Sequence, residues 1–532
     1  MKLFQQLLLA PAALGLLAPV AVSASELNLD GVNQYASQDQ VTSISQFSDV
    51  KPTDWAYQAL SNLIERYGCV AGYPNGTYKG GQAMTRYEAA ALLNACLDRI
   101  TEVTDELKRL MKEFEKELAV LRGRVDGLEA RVGELEASQF STTTKLRGKA
   151  TFVIGANSFS GNLDNIEGIP GDYADYARAQ EGATTFNYDV QLDFDTSFTG
   201  KDLLRTRLRA GNFGNSAWDG DGPVGLNAME IAFEENCGTG SDCGDVVAIN
   251  RLFYQFPIGS SFTATIGGRV RQDDMLAMWP SAYPADTVLD IFTYAGAPGT
   301  YSLNLGAGGG LWWKSGGFSI SANYVSANGD EANPSLGGIG TSGSAETGTV
   351  QVAYGGANWG LAAAYTYSNG AGIYGGNGTP FANASWYSSD SVNSVGVSGY
   401  WSPLSASWFP SISVGWGINS YNDDSDDLAN FDGGNSQSWY VGLQWADVFW
   451  KGNSFGMAVG QPTFVVNTGD SDIEANDGNY AWEWWYKFQV TDNISVTPAI
   501  YYLSAPLGQI QNDQSNETFS NFGGLVKTTF KF

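Results

Sequence analysis

The chain ends in Leu525-Val526-Lys527-Thr528-Thr529-Phe530-Lys531-Phe532, a segment in which apolar and polar residues alternate up to the last position. Successive side chains of a β-strand point to opposite faces, so Lys527, Thr529 and Lys531 share one face and the apolar residues share the other. The pattern is typical of a strand that crosses a membrane in a closed β-barrel, between lipid and a polar interior. A soluble edge strand can end in the same way, so the rest of the chain must agree.

The composition indicates a chain that crosses a membrane with strands rather than helices. Of the 532 residues, 65 are glycine, 13% are aromatic and only 16% are charged. Beyond the N-terminus there is no run of about 18 apolar residues, which a spanning helix needs. Residues 1–24 combine Lys2, an apolar stretch over 7–22 and small residues before Ser25, which predicts a cleaved signal peptide. We therefore expect the mature chain to leave the cytoplasm.

The chain contains no histidine, which excludes Ser-His-Asp catalysis, Cys-His nucleophiles and ordinary zinc sites. We therefore expect no enzymatic activity, no cofactor and no metal site. The four cysteines fall into two pairs that an oxidising compartment would allow to form disulfides. The short spacing of Cys237 and Cys243 favours a bridge, whereas Cys69 and Cys96 fit either a disulfide or two small buried side chains.

The formal net charge is −27, and most of it comes from the C-terminal part of the chain. Residues 145–532 contain 16 Lys and Arg against 38 Asp and Glu, a net charge of −22. Such acidity argues against nucleic acid and anionic lipid as partners. Long solvated surface loops would explain it equally well.

Residues 46–98 have the pattern of a compact, helix-rich domain. Apolar residues recur at helical spacing behind Asp49, which is placed as a cap, and a turn over 73–78 ends this first helix. Thr85 and Glu88 have the spacing of a capping box at the start of a second helix.

This block resembles an S-layer homology (SLH) domain over its whole length. The resemblance rests on Phe47-Ser48-Asp49-Val50, Trp55-Ala56, Gly72-Tyr73-Pro74-Asn75-Gly76 and Thr85-Arg86-Tyr87-Glu88. It implies a domain that binds peptidoglycan or a peptidoglycan-linked polysaccharide in a groove lined by Asp49, Trp55, Gly72 and Arg86. An arginine fork suits an acidic substituent. From the residues alone, Trp55 fits a core position equally well, Asp49 fits a cap, and Arg86 fits an intramolecular ion pair.

Residues 99–137 are predicted to form a coiled coil. Apolar residues step by three and four from Ile100 to Leu135, with a stutter between Phe114 and Leu118. Valine at heptad position a and leucine at position d by themselves favour a coiled coil of two helices. A single amphipathic helix is the alternative, but so long and narrow an apolar seam favours partner helices. Predicted linkers lie at 25–45 and 138–144.

From residue 145 to residue 532 the chain has the pattern of sixteen antiparallel strands, joined alternately by short turns and long Gly- and Asp-rich loops. An even number leaves both barrel ends in the periplasm, with the long loops, including 158–185, 213–245, 272–300 and 327–347, outside. The fold class is therefore mainly β, a sixteen-stranded transmembrane barrel preceded by a small helical domain and a coiled coil. The predicted strands are 146–157, 186–198, 203–212, 246–257, 260–271, 301–313, 316–326, 348–357, 359–368, 390–401, 409–420, 437–447, 453–466, 480–490, 493–504 and 520–532.

This region resembles the OprB-type carbohydrate-selective porins. The three-part layout also resembles cyanobacterial outer-membrane porins that join an SLH domain to such a barrel, some of them called iron-uptake porins. The resemblance covers nearly the whole mature chain and implies a homotrimer in contact with outer-membrane lipid, its SLH and coiled-coil region in the periplasm. Three strands in the coiled coil, as the resemblance implies, conflict with the heptad preference for two.

Six of the eight arginines beyond residue 145 lie on three successive predicted strands. Arg205, Arg207 and Arg209 alternate with residues that can face lipid, so they point inward, where a charge avoids a cost of about 2–4 kcal/mol at the bilayer midplane. Asp193 and Asp195 of the partner strand share this face and are expected opposite or diagonal to them. The predicted pore-lining residues are Asp193, Asp195, Arg205, Arg207, Arg209, Arg251, Arg269 and Arg271.

These residues fit two interpretations that can coexist. One is a charged constriction, completed by acidic residues if the loop at 272–300 folds into the barrel. The other is a ladder of structural ion pairs that stiffens the wall.

The expected function is passive diffusion of small hydrophilic solutes and inorganic ions, iron among them, through a barrel anchored to peptidoglycan. The sequence leaves two alternatives open. The chain could be mainly a structural tether with a nearly closed pore, or a carbohydrate-selective channel.

Overall fold

A computed structural model describes residues 43–53, 57, 61, 64, 76–79, 112, 143–164, 166, 168–169, 171–235, 244–285, 288–369, 377–422, 433–470, 473–514 and 517–532. The chain divides into two compact units, Met1–Gln139 and Phe140–Phe532. The predicted signal peptide, all four cysteines, Trp55, Gly72, Arg86 and nearly all of the predicted coiled coil lie outside the described residues. In the part that is described, no helix has the length and apolarity needed to cross a membrane.

The described part of the N-terminal unit contains a small apolar core. A 3-10 helix, Ile44–Gln46, begins at Ser43, whose hydroxyl accepts a hydrogen bond from the backbone N–H of Ser45. Ile44, Phe47 and Ile64 are buried together, with Tyr57 and Tyr78 packed against them.

Sixteen antiparallel strands close into one barrel, which confirms the predicted fold class. Each strand pairs with its neighbours in sequence, and β1 closes the barrel against β16, from Lys149 opposite Lys531 to Gly161 opposite Phe519. The strands are β1 Thr144–Gly161, β2 Thr185–Thr196, β3 Leu203–Gly211, β4 Ala248–Ile258, β5 Phe262–Arg271, β6 Leu305–Ser315, β7 Phe318–Ser326, β8 Glu346–Gly355, β9 Trp359–Asn369, β10 Ser391–Trp401, β11 Ser411–Asn422, β12 Asn435–Ala446, β13 Ser454–Asn467, β14 Tyr480–Thr491, β15 Ile494–Ser504 and β16 Phe519–Lys531.

Burial alternates along the strands as the sequence pattern predicts. In β16, Phe522 and Val526 are 46% and 38% exposed, whereas Asn521 and Lys527 are buried. Exposed apolar side chains on one face and buried polar ones on the other are the signature of a wall between lipid and a polar interior.

The connections differ sharply between the two ends of the barrel. One end has seven short turns and the barrel termini, and the other has the long loops, which contain helices α1 Tyr173–Glu181, α2 Pro380–Ser388 and α3 Gln509–Asn512. Three further 3-10 helices, Gly225–Asn227, Gln272–Met275 and Asp290–Phe292, lie in the loops between β3 and β4 and between β5 and β6.

Two long loops fold into the barrel and form a core with its inner wall. We name them the first inner loop, whose described residues between β3 and β4 are 212–235 and 244–247, and the second inner loop, whose described residues between β5 and β6 are 272–285 and 288–304. Trp218 and Met229 of the first and Leu289 of the second are buried in one cluster with Tyr501 of β15. Both loops were predicted to be external from the sequence pattern, with an inward fold of the second left open, and their placement corrects that prediction.

Candidate functional site in the barrel interior

The β2–β3 hairpin carries a ladder of arginine–aspartate pairs. Arg205 lies opposite Asp195 and Arg207 opposite Asp193. Each guanidinium donates two hydrogen bonds to its carboxylate, at 2.8 and 3.0 Å for Arg205 and at 2.7 and 3.0 Å for Arg207. Two parallel bonds between planar groups make this the most directional form of ion pair. These pairs form because strand alternation puts the arginines of β3 and the aspartates of β2 on the same inward face.

The ladder continues at both of its ends. Arg209 reaches diagonally to Asp189, with Nε 2.6 Å from the carboxylate, and donates to the carbonyl of Ile231 in the first inner loop at 3.4 Å. At the short-turn end, Arg147 of β1 also donates to Asp195. The hairpin is therefore tied to β1 and to an inner loop through charged side chains.

The second inner loop supplies the acids for the next two arginines. Arg251 of β4 donates to Asp274 at 2.8 Å, and Arg271 makes two bonds to Asp273, at 2.6 and 2.7 Å. Burial opposes ionisation of Asp273, but the adjacent Arg271 outweighs it and lowers the pKa of this carboxyl. These acids hold the start of the loop against the wall, and the inward fold of this loop is the alternative that the sequence left open.

Arg269 is placed differently from the other five arginines. The β5 ladder is interrupted between Gly267 and Val270, and Arg269 lies opposite Leu252, whose side chain is 39% exposed. Its Nε has no hydrogen-bond partner, and none of the described carboxylates forms an ion pair with it. The bulge breaks the alternation from which an inward position was predicted.

Polar side chains of the far wall anchor the remainder of the second inner loop. Glu483 of β14 accepts hydrogen bonds from the Tyr283 hydroxyl at 2.7 Å and the Leu289 N–H at 2.8 Å. Ser398 of β10 and Ser438 of β12 donate to the carbonyls of residues 295 and 296. The loop backbone thus crosses the interior from β5 to β14.

Glycine on the wall makes room for this loop. A Cβ at Gly415 of β11 would lie 1.7 Å from the carbonyl oxygen of Ala295. Gly296 has φ +78, which favours glycine, and a Cβ there would meet the Gly415 backbone at 2.6 Å. Backbone approaches backbone here, so a side chain at either position would displace the loop.

The first inner loop packs against the strands at the seam of the barrel. The Trp218 indole donates to the Tyr501 hydroxyl of β15 at 3.2 Å, and Asn227 is hydrogen-bonded to Asn521 of β16. The two inner loops also meet each other, because the Asp290 N–H donates to the Ala228 carbonyl at 2.8 Å. No periodic pattern in the sequence indicated these contacts.

In the N-terminal unit, the structure shows the surroundings of one predicted groove residue. The Asp49 carboxylate accepts hydrogen bonds from the N–H groups of Tyr78 and Lys79, both at 2.6 Å. The Tyr78 hydrogen bond is the main reason that the pKa of Asp49 is lowered. Asp49 therefore fixes the chain over 76–79.

Comparison with known proteins agrees with this architecture. Residues 102–532 match the family "Carbohydrate-selective porin, OprB family", and residues 46–90 match the S-layer homology domain. The chain belongs to the OprB family of porins. It is an outer-membrane protein, with its SLH domain in the periplasm.

Relatives and one solved structure are similar to this chain to different extents. An uncharacterized protein of Nostoc sp. is 35% identical over 95% of this chain and 88% of its own length. The outer membrane protein SlpA of Deinococcus radiodurans is 35% identical over 18% of this chain and 9% of its own length. OprB of Pseudomonas putida, at 13% identity and a TM-score of 0.46, covers 75% of this chain and 96% of its own.

Proposed function

We propose that this porin is a passive, non-enzymatic channel for small hydrophilic solutes and inorganic ions, iron among them, and that its SLH domain binds peptidoglycan or a polysaccharide linked to it. The observation that supports diffusion best is the partial exposure of the ladder. The side chains of Arg205 and Arg207 are each 21% exposed although they face inward and are paired. Solvent therefore reaches the interior beside β2 and β3, where Asp193, Asp195, Arg205 and Arg207 would line a pathway.

A structural tether with a nearly closed pore is favoured by a different observation. The two inner loops fill much of the interior with buried apolar side chains, including Trp218, Leu289 and Phe292. Carbohydrate selectivity is the third candidate, because it is in the description of the family.

Two experiments separate these functions. Ion conductance of the purified protein in a planar bilayer supports the channel, and an electrically silent barrel would support the tether. Uptake of iron, glucose and amino acids by a deletion strain then identifies the solute. A loss confined to glucose would overturn the broad diffusion pathway in favour of carbohydrate selectivity.

Anchoring depends on Arg86 in this proposal, because its guanidinium would bind an acidic substituent of the wall polymer. We expect Arg86→Ala to release the porin from purified peptidoglycan sacculi while the barrel stays folded. Lys112→Ala removes a positive charge outside the SLH domain and serves as the control. Undiminished co-sedimentation of Arg86→Ala would exclude the assigned role.

We further propose that three chains associate and that the predicted coiled coil over 99–137 holds them together. One SLH domain per chain would then become three per assembly. The heptad pattern by itself favours two strands, so the mass of the particle in detergent decides the question.

A further inference from the structure

Charge is distributed unequally between the two ends of the barrel. We define the short-turn end as the seven short turns, the barrel termini and the strand residues within six positions of either. This end contains 11 of the 16 Lys and Arg of residues 145–532 but only 5 of the 38 Asp and Glu. Its net charge is therefore +6, whereas the remainder of the region has a net charge of −28.

Lysines at the barrel seam are the centre of this positive charge. Lys149 of β1 and Lys531 of β16 are directly opposite each other, two register positions from Thr151 and Thr529. Both threonines are buried and face inward, so the alternation of the strands turns both lysines toward the lumen. Lys527 lies on the same face of β16. Like charges directly opposite each other destabilise a strand pair, and a bound anion would relieve the repulsion.

The positive charge extends across four adjacent strands. In the short-turn half of β16, β1, β2 and β3, seven cationic side chains face inward against two carboxylates, those of Asp193 and Asp195. The formal excess is five positive charges, or four when the C-terminal carboxylate is included. This sum does not depend on which of these side chains pair, since it already contains both inward carboxylates of the short-turn half. Asp189, farther along the same face of β2, is paired with Arg209. The cations are Lys145, Arg147, Lys149, Arg205, Arg207, Lys527 and Lys531.

We propose that the short-turn end of the lumen is an anion-binding vestibule in which Lys149, Lys527 and Lys531 bind small oxyanions, namely phosphate or carboxylate solutes. Ammonium groups bind phosphate as point charges, and a concave, low-dielectric wall focuses their field. The acidic loop end attracts cations instead, so the potential changes sign along the axis. Current should therefore be larger in one direction than in the other. This inference deepens the proposed channel function and rests on it.

The test compares the wild-type porin with Lys149→Gln/Lys531→Gln in planar bilayers at 0.1 M salt, where the screening length is about 10 Å. We expect the double variant to lose most of its rectification, to shift its reversal potential toward cation preference, and to lose the block that inorganic phosphate produces from one side. Lys201→Gln/Lys451→Gln removes the same charge from two exposed short-turn positions and should leave all three properties nearly unchanged. Equal effects in the two variants would overturn the vestibule.

Phosphate binding in detergent, measured by calorimetry, makes the result independent of conduction. A silent wild-type barrel that still binds phosphate through Lys149 and Lys531 would refute the channel and leave the anion site standing. Conduction without phosphate binding, and without any change in the double variant, would refute the site alone. If the double variant fails to fold, Lys531→Gln alone, at an exposed position, is measured in its place.

Discussion

Glu483 shows how a single inward carboxylate fixes an inner loop. It is fully buried on β14, and both of its oxygens accept hydrogen bonds from the second inner loop. Tyr283 also accepts a hydrogen bond from the Trp485 indole at 2.8 Å, so Trp485, Tyr283 and Glu483 form one hydrogen-bonded chain. A donor that loses its partner in such a place costs about 1–3 kcal/mol.

Replacing Glu483 should therefore loosen the loop without opening the barrel. For Glu483→Gln we expect more frequent current fluctuations and faster hydrogen exchange over 283–285 and 288–292. The two hydrogen bonds go to different carboxylate oxygens, and in glutamine one of these becomes an NH2 group that faces a donor, so one bond is lost. Single-channel recording and exchange mass spectrometry measure the two effects. The exposed Asp492→Asn is the control, and equal fluctuations in both variants would contradict the assigned role.

Asp477 joins three segments at the loop end. Its carboxylate accepts hydrogen bonds from the Thr379 hydroxyl and from the N–H groups of Val465 and Gln509. Burial nevertheless raises its pKa from 3.8 to about 6. A raised pKa means that the folded state favours the protonated form. This stabilisation is complete below about pH 4 and is lost as the pH rises through 6.

Asp477→Asn should abolish this pH dependence, because asparagine stays neutral. Between pH 4.5 and pH 7.5 we expect the melting temperature of the wild-type barrel to fall by more than that of the variant. The contribution of Asp477 to the free energy of unfolding amounts to roughly 3 kcal/mol at most. Thermal unfolding at the two pH values measures it. The same pH response in both proteins would show that Asp477 does not titrate in this range.

At the scale of the element, the β2–β3 hairpin places fixed charges of both signs on the inner wall. Changing Arg205, Arg207 and Arg209 to serine removes three cations and leaves Asp189, Asp193 and Asp195 without them. We expect single-channel conductance to rise and selectivity to move toward cations, more strongly at low salt, where screening is weak. The reversal potential in a salt gradient shows whether the selectivity has moved toward cations or toward anions.

The reciprocal variant provides the control for this hairpin. Asp193→Asn/Asp195→Asn keeps the arginines and removes two negative charges, so its selectivity should move toward anions. If neither variant changes conductance or reversal potential, the ladder is structural and no solute passes beside it.

The hairpin and the inner loops also show what sequence can predict. Strand alternation alone places Arg205 and Arg207 on one face with Asp193 and Asp195, because the period is two and the lipid face must be apolar. It fails at Arg269, where a bulge shifts the period. It also fails for the first inner loop, since Trp218 and Tyr501 are 283 residues apart and a loop has no period that would indicate their contact.

At the scale of the whole molecule, the chain divides at Gln139/Phe140 into two compact units, to which we assign the two proposed tasks of anchoring and conduction. A barrel whose strands pair only with one another has all of its spanning backbone hydrogen bonds within residues 144–531, so it does not need the N-terminal unit in order to close. The N-terminal unit has an apolar core of its own around Ile44, Phe47 and Ile64. Conduction and anchoring should therefore be separable by truncation.

We expect residues 143–532, refolded alone, to conduct like the full chain and to lose co-sedimentation with sacculi, because the proposed wall-binding groups lie before residue 99. Mass measurement of both proteins in detergent adds a second outcome. If the coiled coil holds three subunits together, the full chain is a trimer and the truncated barrel dissociates. A truncated barrel that remains trimeric would place the contacts between subunits on the barrel wall, and one that still binds sacculi would refute anchoring through the SLH domain.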